Sequence, residues 1–115
     1  MTPRILTVHF FRTAAGTEPV RDFLRNLPTE DRKAVGTDIK TVQFGWPLGM
    51  PVVRKLGHGL WEIRSHIRDG IVRVLFTVSG CQMVLLHGFI KKALRAPREL
   101  ETARQRLRQL QRGER

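Results

Sequence analysis

The sequence predicts an α+β fold: a small, mainly antiparallel sheet of about four to five strands, packed against N-terminal helices and followed by a C-terminal helix. Three observations support this prediction. Apolar and charged residues alternate along residues 60–78, as they do in strands with one buried face. The dipeptide Asp69-Gly70 interrupts that run and is typical of a two-residue hairpin turn. On both sides of this region, apolar residues recur at helical spacing.

A strand and two helices are predicted before the hairpin. Residues 5–11 alternate and predict the first strand. Thr17 is a good N-cap for a helix that Pro28 ends, and Thr29 can cap a second helix. The predicted apolar stripes are Val20, Phe23, Leu24 and Leu27 in the first helix, and Val35, Ile39 and Val42 in the second.

The hairpin has a definite predicted register. If Asp69-Gly70 forms a type I′ turn, Arg68 lies opposite Ile71 and His66 lies opposite Arg73. One face then holds Trp61, Ile63, Ile67, Val72, Val74, Phe76 and Val78, and the other holds Glu62, Arg64, His66, Arg68 and Arg73. A slip of one residue would bury these charges, so the faces are strongly specified. The sheet is predicted to have a dry side and a cationic side.

The remaining elements are two strands and a helix. Residues 52–56 predict a strand before the hairpin, and residues 83–89 predict one after it. Because the length of the loop before residue 83 is ambiguous, the sequence does not decide which residues of this last strand face the core. Pro97 opens a last helix. Its apolar stripe is Leu100, Ala103, Leu107 and Leu110. At 115 residues the chain is the size of one domain, predicted to span residues 1–115.

The charge of the chain is high and uneven. It carries 21 Lys and Arg against 10 Asp and Glu, a formal net charge of +11. Residues 54–115 contribute +9 of this charge and residues 1–53 contribute +2. Such an asymmetry favours a polyanionic partner, with nucleic acid first and an acidic membrane surface second.

The apolar runs are only of strand length and no signal peptide is recognisable, so we expect no membrane partner. Cys81 is the single cysteine, which excludes an internal disulfide and fits a cytoplasmic location. None of the four histidines has metal-ligand spacing, and we expect neither a metal nor a cofactor.

Four stretches carry a family likeness: TEPVRDFLRNL, KLGHGLWEIR, RDGIVRVLF and VLLHGFIKKALRAPRELETARQRL. Together, and in this order, they resemble the RelE/ParE superfamily of bacterial toxins, specifically its phage-derived HigB-like branch. The resemblance implies a toxin that enters the ribosomal A site and cleaves mRNA, leaving 2′,3′-cyclic phosphate ends. It also implies a small helix-turn-helix antitoxin, similar to HigA, as partner.

Metal-free RNA cleavage requires a group that takes the 2′-OH proton, cations that hold the transition-state charge, and an acid for the 5′-oxygen. By the resemblance, Arg64 and Arg73 match the two sheet arginines of the family, diagonal to each other in the predicted register. Guanidinium is a charge stabiliser rather than a base, so we expect these arginines to form a phosphate clamp that Lys91 and Lys92 complete. A solvated Arg64–Glu62 pair is the simpler alternative.

The proton-transfer groups stay open at this point. Lys55, Lys91 or Lys92 can serve if desolvated, and His66 has the natural pKa for such work. His87 is expected to make an internal hydrogen bond instead. The chain has no tyrosine, which excludes the tyrosine mechanism of some RelE members. The RNA-binding set is expected to include Arg54, Lys55, Arg68 and Arg95, with Phe89 either stacked on a base or buried.

Two other functions remain open. A ParE-like inhibitor of DNA gyrase has the same fold, and fold does not fix function. A non-catalytic nucleic-acid-binding relative would have the same charge.

Overall fold

The computed structural model describes residues 5–91 and 97–113. In chain order the elements are β1 (Thr7–Phe10), α1 (Pro19–Arg25), α2 (Thr29–Gly45), β2 (Val53–Gly57), β3 (Leu60–Ile67), β4 (Gly70–Ser79), β5 (Gln82–Lys91) and α3 (Pro97–Gly113). The five strands form one sheet in the order β1-β5-β4-β3-β2. In this sheet β1 and β5 pair in parallel, and the other neighbours are antiparallel. The predicted α+β fold is confirmed.

Helices α1 and α2 cover one face of the sheet. The predicted stripe of α2, Val35, Ile39 and Val42, is buried there against Ile63, Val72, Val74 and Phe76 of the hairpin. The ring of Trp46, which follows α2, lies edge-on to Trp61 at 5.2 Å between ring centroids. This is the larger core, and it is the apolar hairpin face that the alternation predicts.

The opposite face is only partly exposed, which corrects the predicted division into a dry and a cationic side. Helix α3 lays Ala103 and Leu107 on this face, where they are buried with Leu75 and Leu86 in a second core. The alternation could not show this cover, because α3 begins well after the hairpin in the sequence. The charged side chains of this face therefore lie beside a core.

The hairpin turn is displaced by one residue from its predicted position. Gly70 pairs with Ile67, so Arg68 and Asp69 form the two-residue loop and Gly70 begins β4. Arg73 accordingly lies opposite Arg64 instead of His66, and His66 lies opposite Ile71. The partner of Arg73 moves by two positions, so every predicted side chain keeps its face.

Two predicted helix caps are wrong. The N-cap of α1 is Glu18, and Thr17 bonds instead to Thr13, with 2.7 Å between the two hydroxyl oxygens. The N-cap of α2 is Pro28, and Thr29 is its first helical residue. Within the described residues, no helix is long and apolar enough to cross a membrane.

Candidate active site

A buried ion pair joins the two central strands on the α3 side of the sheet. Nη1 of Arg73 on β4 donates to Oε1 of Glu62 on β3 at 2.7 Å, and each side chain is only 7% exposed. Burying two charges is costly, and removing one partner of such a pair leaves the other uncompensated. Glu62 therefore fixes the position of the Arg73 guanidinium.

The pair does not use all the hydrogen-bonding capacity of Arg73. Its Nε is buried and has no hydrogen-bond partner among the described residues, and the same holds for Nε of Arg64 in the facing position. An unsatisfied buried donor costs about 1–3 kcal/mol. A guanidinium group with donors that folding leaves unused is well suited to an anionic acceptor.

A β-bulge in β5 places the remaining groups of the site. Leu75 pairs with His87 and Phe76 pairs with Leu85, so Leu86 is an extra residue in β5. Because side chains alternate along a strand, one extra residue exchanges the faces of all positions that follow it. Phe89 thereby lies opposite Arg73, and Lys91 lies two positions further along β5 on the same face.

These residues enclose a small cavity of about 160 Å³. It is lined by Arg54, Leu56, Glu62, Arg73, Leu75, Phe89, Lys91 and Leu100. The apolar residues form part of the wall, and Leu100 contributes from α3. Three cationic side chains against one carboxylate, beside an aromatic ring, make an environment suited to a nucleotide, whose phosphate the cations can bind and whose base can stack on the ring.

Helix α3 is fixed to the bulge by a polar network. Nη1 of Arg106 donates to the carbonyl oxygen of Leu86 at 2.9 Å and contacts Nδ1 of His87 at 3.0 Å. Arginine can only donate, so Nδ1 is the acceptor and Nε2 carries the proton that is donated to Glu99 at 2.7 Å. Desolvation by burial lowers the pKa of Arg106. The predicted internal hydrogen bond of His87 is confirmed, and the network anchors α3 beside the cavity.

The structure brings together four of the predicted site residues: Arg54, Arg73, Phe89 and Lys91. Phe89 is half-buried, and its ring stacks on His87 at 5.7 Å between centroids while still lining the cavity. The two alternative roles expected of Phe89, stacking on a base and burial, are therefore compatible with each other.

Other predicted residues lie elsewhere. Arg64 and His66 line a separate cavity of about 440 Å³ beside Asp38 of α2. Lys55 lies opposite Trp61, on the other face from Arg54, and Arg68 is exposed in the hairpin loop. These four positions are thus outside the small cavity. Lys92 and Arg95 lie outside the described residues.

Glu62 is a functional candidate that the sequence analysis missed, since it named this residue only as the partner of Arg64 in the alternative interpretation. Its expected alternative role was a solvated pair with Arg64, whereas it is buried and paired with Arg73. The signal available in the sequence was a single carboxylate on an otherwise cationic strand face. Choosing between two arginines, however, required the register and the cover from α3. Within the described residues, no three His, Cys, Asp or Glu side chains are grouped as metal ligands would be.

The model of one protein family matches this chain over residues 22–108, and the family is described as "Phage derived protein Gp49-like (DUF891)". The matched span runs from α1 into α3 and includes every residue that lines the small cavity. Among the curated proteins there is no significant match.

Proposed function

Since the chain belongs to the Gp49-like family of phage-derived proteins, we propose that it is the toxin of a type II toxin–antitoxin system and cleaves mRNA at the ribosome. The observation that supports this proposal best is the state of Arg73. Its guanidinium is buried and positioned by Glu62, its Nε has no hydrogen-bond partner among the described residues, and Arg73 lines a cavity together with Arg54 and Lys91. A binding surface for another protein would not require a buried, incompletely bonded cation.

The cavity can accommodate the scissile phosphate. Arg73 would donate from its guanidinium to a phosphate oxygen, and Arg54 and Lys91 would add positive charge as the pentacovalent transition state gains negative charge. Phe89 would stack on an adjoining base, as aromatic side chains do with unpaired RNA. Such preorganised donors are typically the largest contribution to catalysis of this kind.

Proton transfer is assigned to the two other ionisable groups. Glu62 carries the one carboxylate among the described residues of the cavity wall, and as a carboxylate it can accept the 2′-OH proton. The 2′-oxygen then bonds to phosphorus, and the bond from phosphorus to the 5′-oxygen breaks. Lys91 as an ammonium can give the leaving oxygen its proton. The products are a 2′,3′-cyclic phosphate and a 5′-hydroxyl, and no metal or cofactor takes part.

The partners follow from the same proposal. The mRNA would be presented in the ribosomal A site in the cytoplasm, and a HigA-like helix-turn-helix antitoxin would hold the toxin inactive. The excess of basic residues in residues 54–115 supports binding to an RNA-rich surface.

The test is to map the 5′ ends of an mRNA incubated with the purified protein, with and without ribosomes programmed with that mRNA. The proposal predicts new 5′ ends only when ribosomes are present. Intact mRNA in both samples would contradict it. Inhibition of DNA gyrase by the same preparation would then favour a ParE-like inhibitor, and RNA binding without cleavage would favour a non-catalytic relative.

A further inference from the structure

A second cationic cavity lies between the β2–β3 turn and the later part of α3. It has a volume of about 270 Å³ and is lined by His58, Arg104, Leu107, Arg108 and Gln111. Apart from Leu107, these side chains are hydrogen-bond donors, and the cavity wall has no carboxylate among the described residues. The chemistry of this wall is that of an anion site.

The arginines of this cavity have unused binding capacity. Arg104 is half-buried, and its Nε is inaccessible to solvent with no hydrogen-bond partner in the described part of the chain. Arg108 is half-exposed, and its Nη2 lies 3.3 Å from Oε1 of Glu101. Exposed ion pairs of this kind contribute little to stability, so this contact holds Arg108 only weakly. Both arginines line the cavity, so an acidic ligand there can bind the terminal nitrogens of their guanidinium groups.

The turn that supplies His58 has an unusual backbone. His58 has φ = 56°, between Gly57 at 89° and Gly59 at 84°. A left-handed conformation is uncommon for a residue with a Cβ, and such positions often serve a function. Thr77 supports the turn by donating its hydroxyl to the carbonyl oxygen of Gly59 at 2.7 Å. This conformation holds His58 at the cavity that Arg104 lines.

This second cavity lies close to the small cavity of the candidate active site, which is the first cavity. Both are lined by residues of α3 and of the stretch from β2 to the β2–β3 turn. Leu100 of α3 lines the first cavity and Leu107 lines the second, and seven residues of helix span about 10 Å. Arg54 of β2 lines the first cavity, and His58 follows β2 in the chain. An extended RNA strand crosses such a distance within a few nucleotides.

We propose that His58, Arg104 and Arg108 form a second phosphate-binding site for the RNA strand whose cleaved phosphate occupies the first cavity. This inference rests on the proposed function, because it assigns the RNA of that function a path along α3 from the first cavity to the second. The second site binds the backbone and does not read base sequence.

The test uses fluorescent RNA with 2′-O-methyl riboses, which lacks the attacking hydroxyl and cannot be cut. A trinucleotide with hydroxyl ends has only two phosphates, one nucleotide apart and too close together to occupy both cavities, whereas a dodecamer reaches both. Fluorescence anisotropy gives the Kd of each RNA at several salt concentrations. The variants are Arg104→Gln/Arg108→Gln and, as a control with the same loss of charge, Lys33→Gln/Lys40→Gln on exposed positions of α2.

The arginine variant is expected to bind the dodecamer about tenfold more weakly, with a salt slope smaller by about 0.7 for each phosphate that it no longer neutralises. Its affinity for the trinucleotide should stay the same, and the α2 variant should bind both RNAs like the wild type. His58→Asn, which tolerates the left-handed backbone, should weaken dodecamer binding with unchanged circular dichroism. It thus tests the site even if the double variant fails to fold.

Equal weakening of both RNAs, an equal effect of the α2 variant, or no difference in wild-type affinity for the two RNAs would overturn the second site. The cleavage assay tests the proposed function and the binding assay tests the second site, so the two hypotheses can fail independently. If the wild type cuts no RNA but the arginine variant still binds the dodecamer more weakly, the proposed function fails and the second site stands. If the wild type cuts mRNA and the arginine variant binds normally, only the second site fails.

Discussion

Arg73 donates to Glu62 across two neighbouring strands at 2.7 Å, and yet its Nε has no partner among the described residues. The carboxylate thus positions the guanidinium without saturating it. A fully bonded arginine would have to give up a hydrogen bond in order to bind a phosphate. Under the proposed function, a phosphate would add a hydrogen bond to a guanidinium that folding leaves incompletely bonded, which is the form of preorganisation that transition-state stabilisation requires.

The first prediction concerns this pair and separates stability from activity. Arg73→Met leaves Glu62 buried without a counter-ion and should lower the free energy of unfolding by about 3–5 kcal/mol. The double variant Glu62→Leu/Arg73→Met removes both charges and should regain most of that loss, yet cut no mRNA. Urea unfolding followed by circular dichroism measures the stabilities. If the double variant is no more stable than Arg73→Met, the pair is not coupled as described.

The second prediction concerns the stacking residue. Phe89→Leu should weaken binding of the 2′-O-methyl trinucleotide about tenfold, because aromatic stacking on a base contributes roughly 1–3 kcal/mol. Phe44→Leu is the matched control, since Phe44 is 58% exposed on α2. Fluorescence anisotropy gives both affinities. Equal affinities for the two variants would exclude a stacking role for Phe89.

The third prediction uses two glycines with opposite surroundings. A Cβ on Gly88 would lie 2.7 Å from Cδ2 of Phe23, whereas a Cβ on Gly36 would meet nothing within 4 Å. Gly88→Ala should therefore destabilise the protein by about 1–3 kcal/mol through overpacking between α1 and β5. Gly36→Ala should stabilise it by about 0.5–1 kcal/mol, because Ala is the better helix former. Thermal unfolding of both variants gives the two signs, and shifts in the same direction would contradict the packing described here.

The fourth prediction concerns the anchor of α3. Arg106→Leu removes the donor to Leu86 and to Nδ1 of His87, and leaving these partly buried acceptors unpaired should cost about 1–3 kcal/mol. In the wild type, nitrogen-resolved NMR should find the ring proton of neutral His87 on Nε2, the atom that donates to Glu99. A proton on Nδ1 would contradict the bond from Arg106.

Much of the fold follows from local patterns in the sequence. The alternation assigned Ile63, Val74 and Phe76 to one face correctly, even though the turn is displaced by one residue. The displacement moves each cross-strand partner by two positions, and a period of two is insensitive to that change. Pro97 marked the start of α3 for an equally local reason.

The candidate site depends on features that are not local. The bulge at Leu86 decides that Phe89 and Lys91 share a face with Arg73. Gly88, two residues later in the strand, is a residue type that often marks a bulge, but it does not fix which residue is the extra one. The burial of Glu62 depends on the register and on the cover provided by α3. His66 was assigned to Arg73 because the turn was placed one residue too far along the chain.

The measurement that tests the central claim most directly is the single-turnover rate of mRNA cleavage on programmed ribosomes by Arg73→Lys. Lysine keeps the charge beside Glu62 but lacks the Nε donor and the planar fork. The rate should fall about 10²–10³-fold, the usual effect of removing one preorganised donor. The control Lys40→Arg makes the reverse exchange, lysine to arginine, at an exposed position of α2 and should cut at the wild-type rate. Cleavage by a folded Arg73→Lys variant at the wild-type rate would contradict the account.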